Sequence, residues 1–526
     1  MALPTWTAFL PGVIITVLFL KAIVSYGRRR TYNLPPGPNP WPIIGNLNLI
    51  GELPHRSIHE ISKRYGPLMQ LRLGSLPVVV GASAEMAKFF LKTKDATFSD
   101  RPSFAIAKHA SYDSSNILWS QYGPYLRQVR RICATELFSA NRLESFEHIR
   151  HEEVRGMLRD LRGEAAASPG RAVRLRDYLQ MTTLGVISRM VLGRKYVVQE
   201  EAVDTEGGSP APPVMTPAEF REMVDEFFVL NGVTNIGDFV PWLDWLDLQG
   251  YIRRMKRTNK MFHRFLDHIL DEHNRRRRLE GDGFVARDLV DVLLQLADDP
   301  NLEVQLSRDN VKAITQDMVL GGSDTAAVTI EWAISELIKN PKSLDKATEE
   351  LDRVVGRQRL VTERDLPTLP YIDAILKETL RLHPVAPTLV PHLAREDAHV
   401  DGYDIPTGTI VFINVWSIGR DPTLWDAPEE FLPERFIGSK IDVKGQDFEL
   451  LPFGSGRRMC PGLNLALKMT LLSIANLLHG FTWRLPDGMV VEELSMEEVF
   501  LLAMPRKNPL EAVIEPRLLS RVYMGA

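Results

Sequence analysis

The chain has 526 residues, of which 44% are hydrophobic and 25% are charged, and this balance is typical of a globular protein rather than a disordered one. A formal net charge of -4 gives no basis for a nucleic-acid partner. The sequence contains two cysteines, Cys133 and Cys460. So sparse a count fits a reducing compartment better than a disulfide-stapled secreted protein.

The N-terminal segment at 9–26 is almost entirely apolar, with Lys21 as its one charge, and arginines follow it at 28–30. An apolar stretch of this length is at the short end of what crosses a bilayer. The alternative is a cleaved signal peptide, which places positive charge before the apolar run and a small-residue cleavage site after it. The sequence therefore predicts an uncleaved transmembrane anchor with a basic flank over residues 1–30. The positive-inside rule places the body of the chain in the cytosol.

A proline-rich segment at 31–45 follows the anchor, with prolines at 35, 36, 38 and 40. Prolines at this density cannot propagate a helix or a strand ladder. An ordinary surface loop is the alternative interpretation. Its position between an anchor and a globular body favours a stiff, extended linker.

Beyond residue 45, helical periodicity dominates the sequence. Apolar residues recur at helical spacing over long stretches at 143–162, 217–230, 251–280, 308–339, 343–355 and 462–479. Strand-like runs are short and lie at 68–73, 76–81 and 409–415. Glycines and prolines at 199–216 predict a mobile loop, and no internal repeat has a fixed period. We therefore predict one large domain over residues 46–526 that is mainly α with a minor β-sheet portion.

The longest apolar helical pattern contains two adjacent glycines, Gly321 and Gly322, followed closely by Asp324 and Thr325. Glycine inside a helix costs roughly 1 kcal/mol relative to alanine, so the pair suggests that another group approaches the backbone there. Asp324 and Thr325 supply a carboxylate and a hydroxyl that are suited to proton delivery. Taken alone, the segment favours a second interpretation, in which the glycines allow two helices to cross closely and Asp324 is a surface charge.

Cys460 is preceded by glycines at 454 and 456 and followed by Gly462, which allow the backbone to turn tightly and approach a flat ligand. A helical pattern begins directly afterwards. The partial positive charge at that helix N-terminus, together with Arg458, favours a thiolate. A lone axial thiolate pushes electron density onto a haem iron and favours cleavage of an O–O bond. A small buried hydrophobe is the alternative role for a lone cysteine, and we assign it to Cys133.

Phe453, Gly456, Arg458, Cys460 and Gly462 resemble the haem-binding signature of the cytochrome P450 family, Phe-x-x-Gly-x-Arg-x-Cys-x-Gly, at every fixed position. The similarity extends from the anchor to the C-terminus, and its details resemble the plant A-type group, including homoterpene-forming and flavonoid-hydroxylase-like members. The resemblance implies the cytochrome P450 fold and haem b (iron protoporphyrin IX) as cofactor. It makes Cys460 the axial iron ligand and the other four signature residues haem-binding residues.

The resemblance also assigns roles in the central helix. Residues 321–326 resemble the family's oxygen-handling motif, [Ala/Gly]-Gly-x-[Asp/Glu]-Thr-[Thr/Ser], so we expect Asp324 and Thr325 to be catalytic. A widened or kinked helix would leave room for O2 there. Ala326 departs from the motif at the final hydroxyl position. Because the acid and the threonine are retained, we expect oxygen activation rather than an oxygen-independent isomerase of the same fold.

Three further residues resemble the family's structural triad. Glu378 and Arg381 lie three residues apart in a helical stretch and so share one helix face. An exposed ion pair of little energetic value is the alternative. The pair resembles the Glu-x-x-Arg motif, and Arg435 matches its third member. The resemblance implies a buried network that stabilises the core near the haem.

The haem carboxylates need cations or other hydrogen-bond donors, and by family position these are Arg130, His392 and Arg458. One departure concerns the Trp-x-x-x-Arg motif, which falls on residues 126–130 and has Leu126 in place of tryptophan. The loss of that N–H donor is expected to weaken haem retention by about 1 kcal/mol. Trp119 is nearby in sequence but does not match the position.

The resemblance places the substrate pocket between segments 385–390, 317–321 and 500–504, which are largely apolar. Such a lining favours an apolar substrate. We therefore expect a haem-thiolate monooxygenase that uses O2 and NADPH-derived electrons to oxidise an apolar plant secondary metabolite. A terpenoid is favoured, including oxidative C–C cleavage of a tertiary terpene alcohol to a homoterpene. Hydroxylation of a flavonoid or phenylpropanoid is the alternative.

The chain shows no phosphate-cradling Gly-rich motif, so the nicotinamide is expected to bind a partner, the membrane-bound NADPH-cytochrome P450 reductase. The expected location is the endoplasmic reticulum membrane, with a single-pass anchor and a cytosolic catalytic domain. A non-catalytic haem or electron-transfer protein is the alternative of another class. That class normally fills both axial positions of the iron, whereas here one ligand is found beside an Asp–Thr pair.

Overall fold

The computed structural model describes residues 32–196 and 215–524, so the predicted anchor at 1–30 and most of the predicted loop at 199–216 lie outside the described residues. Within those two ranges, no helix is both long and apolar enough to span a bilayer. The α-helices of the described residues are α1 Pro54–Tyr65, α2 Ala84–Lys88, α3 Ala105–Ala110, α4 Pro124–Glu136, α5 Ala140–Ser145, α6 Glu147–Ala167, α7 Leu175–Leu192, α8 Pro217–Gly232, α9 Ile236–Phe239, α10 Tyr251–Glu280, α11 Leu289–Ala297, α12 Arg308–Lys339, α13 Pro341–Val354, α14 Pro370–Leu382, α15 Val415–Ile418, α16 Leu463–Gly480 and α17 Ser520–Met524.

The strands form a minor part of the fold. They are β1 Leu68–Leu73, β2 Leu76–Gly81, β3 Val173–Arg174, β4 His392–Leu393, β5 Ala398–Val400, β6 Tyr403–Ile405, β7 Ile410–Ile413, β8 Phe481–Arg484 and β9 Glu511–Pro516. Four of them form a sheet in the order β1-β2-β7-β4, in which β2 and β7 are parallel and the other pairs antiparallel. The remaining strands form a three-stranded sheet, β3-β9-β8, and a two-stranded sheet, β5-β6. The prediction of a mainly α fold with a minor sheet portion is confirmed.

The differences from the predicted bounds have local causes. Helix α13 begins at Pro341, because proline at the first helical position loses no hydrogen bond and already has the required φ. The predicted strand at 409–415 ends at Ile413. There the Asn414 side chain accepts a hydrogen bond from the Ser417 backbone N–H and starts a short helix, as N-cap asparagines do.

Part of the proline-rich segment is hydrogen-bonded to the first sheet. The Gln70 backbone N–H donates to the Pro36 carbonyl (2.8 Å), and Gly45 forms an isolated bridge with Leu73. The Asn46 side-chain oxygen accepts a hydrogen bond from the Arg72 backbone N–H (2.8 Å). Residues 36–46 are therefore attached to the edge of β1.

Helix α12 crosses the interior of the domain. It starts with a capping box between Ser307 and Asn310, which satisfies the free N–H groups of the first turn. Its faces are buried nearly all round, as expected for a helix surrounded by others. It packs against α7, α14 and α16, and Trp332 in its C-terminal part is fully buried.

The predicted triad forms a buried hydrogen-bonded network. Arg381 donates to both Glu378 oxygens, at 2.7 and 2.8 Å, and Arg435 donates to Glu378 Oε1 at 3.0 Å. The Glu378 and Arg381 side chains are completely buried, and that of Arg435 is 11% exposed. The alternative of an exposed ion pair is wrong. The network connects α14 to the segment that follows Phe431.

Candidate functional site

The segment before α16 wraps tightly around Cys460. The Cys460 backbone N–H donates to the Phe453 carbonyl at 3.0 Å. Gly454 and Gly456 both have a φ of 67°, a region that favours glycine. A Cβ at Gly456 would also collide with the Leu91 carbonyl oxygen. The glycines at 454 and 456 therefore allow a backbone path that other residues would strain.

Two opposing effects act on the Cys460 thiol. Burial raises its pKa, whereas the backbone N–H groups of Gly462 and Leu463 and the charge of Arg130 lower it. The sequence predicted a thiolate from the helix N-terminus, and that stabilising effect is present, but in the protein chain alone burial outweighs it. A thiol that coordinates a metal is deprotonated by the metal's own charge, which would complete the ionisation that the helix terminus favours.

Cys460 faces a cavity of about 320 Å³ in the centre of the domain. Phe453, Gly454, Arg458 and Gly462 also line this cavity, whereas Gly456 supports the loop behind it. Most of the remaining wall comes from α7, α8, α12, α14, α16 and the segment after α14. Apolar side chains dominate it, including Val186, Ile187, Phe227, Met318, Leu320, Leu376, Leu380, Val385, Leu389, Val390, Leu465 and Leu502.

Three arginines line the cavity and carry a concentration of positive charge. Arg101 donates to the carbonyls of Val390 (2.8 Å) and Pro391 (2.7 Å). Arg130 donates to the Met459 carbonyl (2.7 Å), and Arg458 donates to the Ser99 carbonyl (2.6 Å) and to the Ser120 carbonyl. Burial lowers the pKa of all three, and that of Arg458 reaches about 10. Arg101 was not predicted, because no local pattern distinguishes it from other arginines.

His392 has a different character from the arginines. Burial lowers its pKa well below the usual range, and the charges of Arg101 and Arg458 add to this effect. Its Nδ1 lies 2.7 Å from the Phe98 carbonyl oxygen, which assigns the ring proton to that nitrogen. His392 is therefore a neutral imidazole within the cavity wall, a polar group rather than a third cation beside Arg130 and Arg458.

The missing tryptophan leaves a purely apolar side chain in its place. Leu126 is completely buried and does not line the cavity. Trp119 is also buried, and its Nε1 has no hydrogen-bond partner among the described residues. It stacks edge-on against Phe104 and is absent from the cavity wall. Trp119 therefore does not replace the lost donor in this arrangement.

The chemistry of this cavity fits a haem. Among the described residues, no carboxylate forms a salt bridge with Arg101, Arg130 or Arg458 within 4.0 Å, so one buried and two half-buried cations lack an ion-pair partner. Buried charge is costly without a counter-charge, and two carboxylates of a bound ligand would supply it. Cys460 offers a sulfur ligand in the same cavity, beside glycines that leave room for a flat group. These residues together match an anionic, iron-containing macrocycle.

The two glycines of α12 make room in different directions. A Cβ at Gly322 would lie 2.6 Å from Ile187 Cγ1 of α7, whereas a Cβ at Gly321 would meet no atom within 4 Å. Gly322 therefore permits close packing of two helices, and Gly321 widens the cavity. The hydrogen-bonded helix continues through both residues without interruption. Room in the cavity comes from the absent side chain of Gly321 rather than from a break in the helix.

The two predicted catalytic residues are placed differently. Thr325 lines the large cavity, and its hydroxyl donates to the Gly321 carbonyl at 2.9 Å. Asp324 lies outside that cavity and is 8% exposed. Its Oδ1 accepts a hydrogen bond from Gln180 Nε2 of α7 at 3.2 Å. Burial, and then the charge of Asp225, raise the pKa of Asp324 to about 6, so the interpretation of Asp324 as an ordinary surface charge is wrong.

The predicted pocket segments contribute unequally. Of residues 500–504, the cavity wall contains only Leu502, whose backbone N–H donates to the Phe228 carbonyl of α8 at 3.1 Å. The predicted residues that do line it are Asp317, Met318, Leu320, Gly321, Val385, Ala386, Leu389, Val390 and Leu502. No sequence pattern marks Thr183, Val186 and Ile187 of α7 or Phe227 of α8 as cavity residues, because only the packing of these helices brings them there.

Comparisons with known proteins agree with this geometry. The family model described as Cytochrome P450 matches residues 35–510. Trimethyltridecatetraene synthase of Zea mays is 49% identical over 97% of this chain and 94% of its own length. Dimethylnonatriene synthase of Zea mays is also 49% identical, over 98% of this chain and 97% of its own length. A flavonoid 3'-monooxygenase of Petunia hybrida is 43% identical over 98% of both chains.

The fold itself matches a solved structure. A zebra fish cytochrome P450 structure with abiraterone superposes with a TM-score of 0.70, covering 88% of this chain and 100% of the other at 24% identity. The helices that surround the cavity, the Cys460 segment and the match of the family model to residues 35–510 support one assignment. This chain belongs to the cytochrome P450 family and is a monooxygenase of that family.

Proposed function

We propose that this enzyme oxidises an apolar terpenoid, and that it cleaves a C–C bond of an acyclic tertiary terpene alcohol to form a homoterpene. The observation that carries the proposal is 49% identity, over nearly the whole chain, to two synthases that are named for branched hydrocarbon polyenes. The apolar cavity wall supports it, because an apolar lining stabilises a substrate with few polar groups.

Haem b, bound through Cys460, would supply the iron that activates O2. In this proposal Arg101, Arg130 and Arg458 bind the haem carboxylates with charge-assisted hydrogen bonds. His392 adds a neutral polar group, and Phe453, Gly456 and Gly462 shape the segment that holds the sulfur. The electrons come from NADPH through a separate NADPH-cytochrome P450 reductase.

Thr325 and Asp324 divide the handling of protons. The Thr325 hydroxyl lies at the large cavity, where its oxygen can accept a hydrogen bond and hold a proton in transit while it donates to the Gly321 carbonyl. Asp324 is a buried acid whose pKa of about 6 is close to the operating pH, as a proton donor requires. Ala326 at the following position adds no hydroxyl, so Thr325 supplies the hydroxyl of the 321–326 segment in this proposal.

The enzyme is also proposed to be anchored in the endoplasmic reticulum membrane through residues 1–30, with residues 31–45 as the linker and residues 46–526 as the cytosolic catalytic domain. An exposed apolar surface at the start of the described chain supports this arrangement. Trp41 and Ile43 are each 64% exposed, and Trp242 and Trp245 are 63% and 80% exposed. Exposed apolar patches of this kind mark interaction surfaces.

These apolar residues belong to one end of the molecule. The turn between β1 and β2 contacts both segments: the Gly74 N–H donates to the Ile44 carbonyl (2.9 Å), and the Ser75 N–H donates to the Phe239 carbonyl (2.7 Å). The apolar run at 9–26 precedes the same surface in the chain. Alkaline washing of membranes tests the anchor: the full chain should stay in the membrane pellet, and a chain lacking residues 1–30 should be released more readily.

Product analysis tests the reaction. Membranes containing the enzyme and a plant reductase are incubated with NADPH and a panel of acyclic tertiary terpene alcohols and flavonoids, and products are identified by mass spectrometry. The proposal expects a shortened polyene from a terpene alcohol and none from membranes containing Cys460→Ala. Turnover of flavonoids without any terpenoid product would overturn the substrate assignment while leaving the monooxygenase assignment intact.

Flavonoid hydroxylation is the second candidate, because flavonoid 3'-monooxygenases are 41–43% identical to the chain over nearly its full length. A polyhydroxylated substrate needs polar partners in the cavity. Asp317 is the buried acid of the wall, but Asn116 and the Leu118 backbone N–H already bond to it, at 2.8 and 3.0 Å. Because Asp317 is already bonded within the protein, the cavity wall favours the less polar terpenoid over a flavonoid.

A further inference from the structure

A second, smaller cavity of about 30 Å³ lies on the far side of α12, between α7 and α8. That volume is sufficient for a water molecule, provided that polar partners surround it. Two carboxylates, Asp324 of α12 and Asp225 of α8, line this cavity together with Gln180 and Arg221. The remainder of the wall is largely apolar. Asp324 is thus accompanied by a second acid that no sequence motif identifies.

The two acids differ in their access to solvent. Asp324 is 8% exposed and accepts a hydrogen bond from Gln180 Nε2, whereas Asp225 is exposed at the protein surface. Among the described residues, no cation lies within salt-bridge distance of either carboxylate. Arg221 pairs instead with Asp177 at 3.5 Å. A buried acid and an exposed acid therefore share one cavity without a neutralising ion pair.

The electrostatics of the cavity favour protonation of these carboxylates. Burial raises the pKa of Asp324, and the charge of Asp225 raises it further, while Gln180 and the charges of Arg176 and Arg221 lower it. Although Asp225 is exposed as a residue, the cavity wall partly desolvates its carboxylate, which raises the pKa of Asp225 against the charges of Arg221 and Arg176. Two carboxylates that share a site tend to keep one proton between them.

The path from Asp324 toward the large cavity passes over Gly321. Helical side chains lean toward the N-terminus of their helix, so Asp324 leans over the residue three positions before it. Gly321 has no side chain there, and a Cβ at that position would meet no atom within 4 Å. Gly321 also lines the large cavity. A rotation of the Asp324 side chain over Gly321 would bring its carboxyl group toward Thr325.

We propose that Asp225 is the outer member of a two-carboxylate proton relay and passes solvent protons to Asp324. The Asp225 carboxylate takes a proton from bulk water, directly or through a water in the small cavity. It then transfers this proton to the Asp324 carboxylate and returns to its anionic form. Asp324 carries the proton over Gly321 to the Thr325 side of the helix. No oxidation accompanies these transfers, and the relay rests on the proposed roles of Asp324 and Thr325.

The first test measures the carboxyl groups directly. Infrared spectra of the haem-loaded enzyme without substrate are recorded against pH, and the Asp324 carboxyl signal is isolated by subtracting the Asp324→Asn spectrum. The same measurement is made on Asp225→Asn, and the spectrum of the double variant Asp225→Asn/Asp324→Asn is subtracted from it. The Asp324 carboxyl signal should then titrate at a lower pH than in the unaltered enzyme, because a neighbouring negative charge has been removed. An unchanged titration would show that the two carboxylates do not interact and would overturn the relay.

The second test measures proton delivery during turnover. Asp225→Asn should lower product formation per NADPH by about tenfold, less than the roughly 100-fold or more expected for loss of a group that transfers the proton directly, and should increase the solvent deuterium isotope effect. Asp225→Glu should restore both values. Glu222→Gln is the matched control, since Glu222 lies on the same helix with a 68% exposed side chain near Arg257, and it should behave like the unaltered enzyme.

These experiments distinguish a failure of the proposed relay from a failure of the proposed substrate assignment. The infrared titration needs no substrate, so it holds or fails independently of whether a terpenoid is the natural compound. Normal coupling and a normal isotope effect in Asp225→Asn, on any substrate that the enzyme oxidises, would show that protons reach Asp324 by another route. Equal losses in Asp225→Asn and Asp225→Glu would indicate a structural role and would also overturn the relay.

Discussion

Asp324 and Thr325 are consecutive residues of α12, yet their side chains face different cavities. Thr325 lines the large cavity that contains Cys460, whereas Asp324 lines the small cavity between α7 and α8. Successive helical residues are rotated by about 100°, which separates the two side chains across the helix surface. An acid and a hydroxyl that are adjacent in sequence are therefore held on different sides of α12.

Replacing Thr325 by alanine should uncouple the reaction. We expect product formation per NADPH to fall about 100-fold, within the range for loss of a positioned proton-transfer group, with a matching rise in hydrogen peroxide. Product and peroxide measured against NADPH consumption check this. Ser335→Ala is the control, because the Ser335 hydroxyl also donates to the carbonyl four residues earlier but does not line the cavity. Equal coupling in both variants would contradict a role for Thr325 in proton delivery.

Cys460→Ala should abolish binding of iron through sulfur. The expected result is loss of the thiolate signature in the carbon-monoxide difference spectrum of the reduced protein, together with loss of turnover. Cys133→Ala is the matched control: Cys133 is fully buried in α4, and burial raises its pKa to about 12, which leaves it a neutral apolar group. If Cys460→Ala retained its pigment and its turnover, the assignment of the iron ligand would be wrong.

Replacing either glycine of α12 by alanine should change the free energy of unfolding, in opposite directions for the two positions. Gly322→Ala places a Cβ 2.6 Å from Ile187 Cγ1 and should lower the free energy of unfolding by about 1–3 kcal/mol, a typical cost of overpacking. Gly321→Ala meets no atom within 4 Å and should gain up to about 1 kcal/mol from helix propensity. Denaturant unfolding measures both. Adding Ile187→Ala to Gly322→Ala should cost less than the sum of the single changes, and strict additivity would exclude the clash.

Glu378→Gln should destabilise the fold strongly. It removes the charge that compensates the buried side chain of Arg381 and should cost about 3–5 kcal/mol, as expected when one partner of a buried ion pair is lost. Lys346→Ala breaks the exposed pair with Glu434 and should cost about 0–1 kcal/mol. Thermal and denaturant unfolding of the two variants check the contrast. A similar small cost in both would contradict the stabilising role of the triad.

Ionisation of Asp324 should reduce stability as the pH rises. Its pKa is raised to about 6 in the folded protein, against about 3.9 in an unfolded chain. The folded state therefore binds more protons between about pH 4 and pH 6, so the free energy of unfolding falls over this interval. Asp324→Asn removes this effect. Its free energy of unfolding should therefore rise by about 2–3 kcal/mol relative to that of the unaltered protein between about pH 4 and pH 6. Denaturant unfolding at several pH values measures it.

The comparison of Asp324→Asn with the unaltered protein also controls for the titration of other buried acids. Asp317 and Asp238 have pKa values raised to about 6 by burial, but they are present in both proteins. Their contributions cancel in the difference if the sites are independent. A stability difference that does not change with pH would show that Asp324 is not titrating in this range.

Much of the site was predictable because its chemistry is local in sequence. The Cys460 segment needs glycines at fixed positions for backbone reasons, and the Glu378–Arg381 pair follows from helical spacing within a single element. The long helices and the first two strands were similarly predictable from periodicity, since a buried helix or strand repeats its apolar residues regularly.

The tertiary structure decided what depends on contacts between distant segments. Arg101 joins Arg130 and Arg458, Gly322 meets Ile187, and Asp225 shares a cavity with Asp324 only after the helices pack. The sequence by itself predicted a sulfur ligand at Cys460 and a catalytic Asp–Thr pair, and it determined the mainly helical fold, because these depend on neighbouring residues and periodicity. Burial and electrostatic coupling, by contrast, arise from groups far apart along the chain, and no local pattern encodes the distances between them.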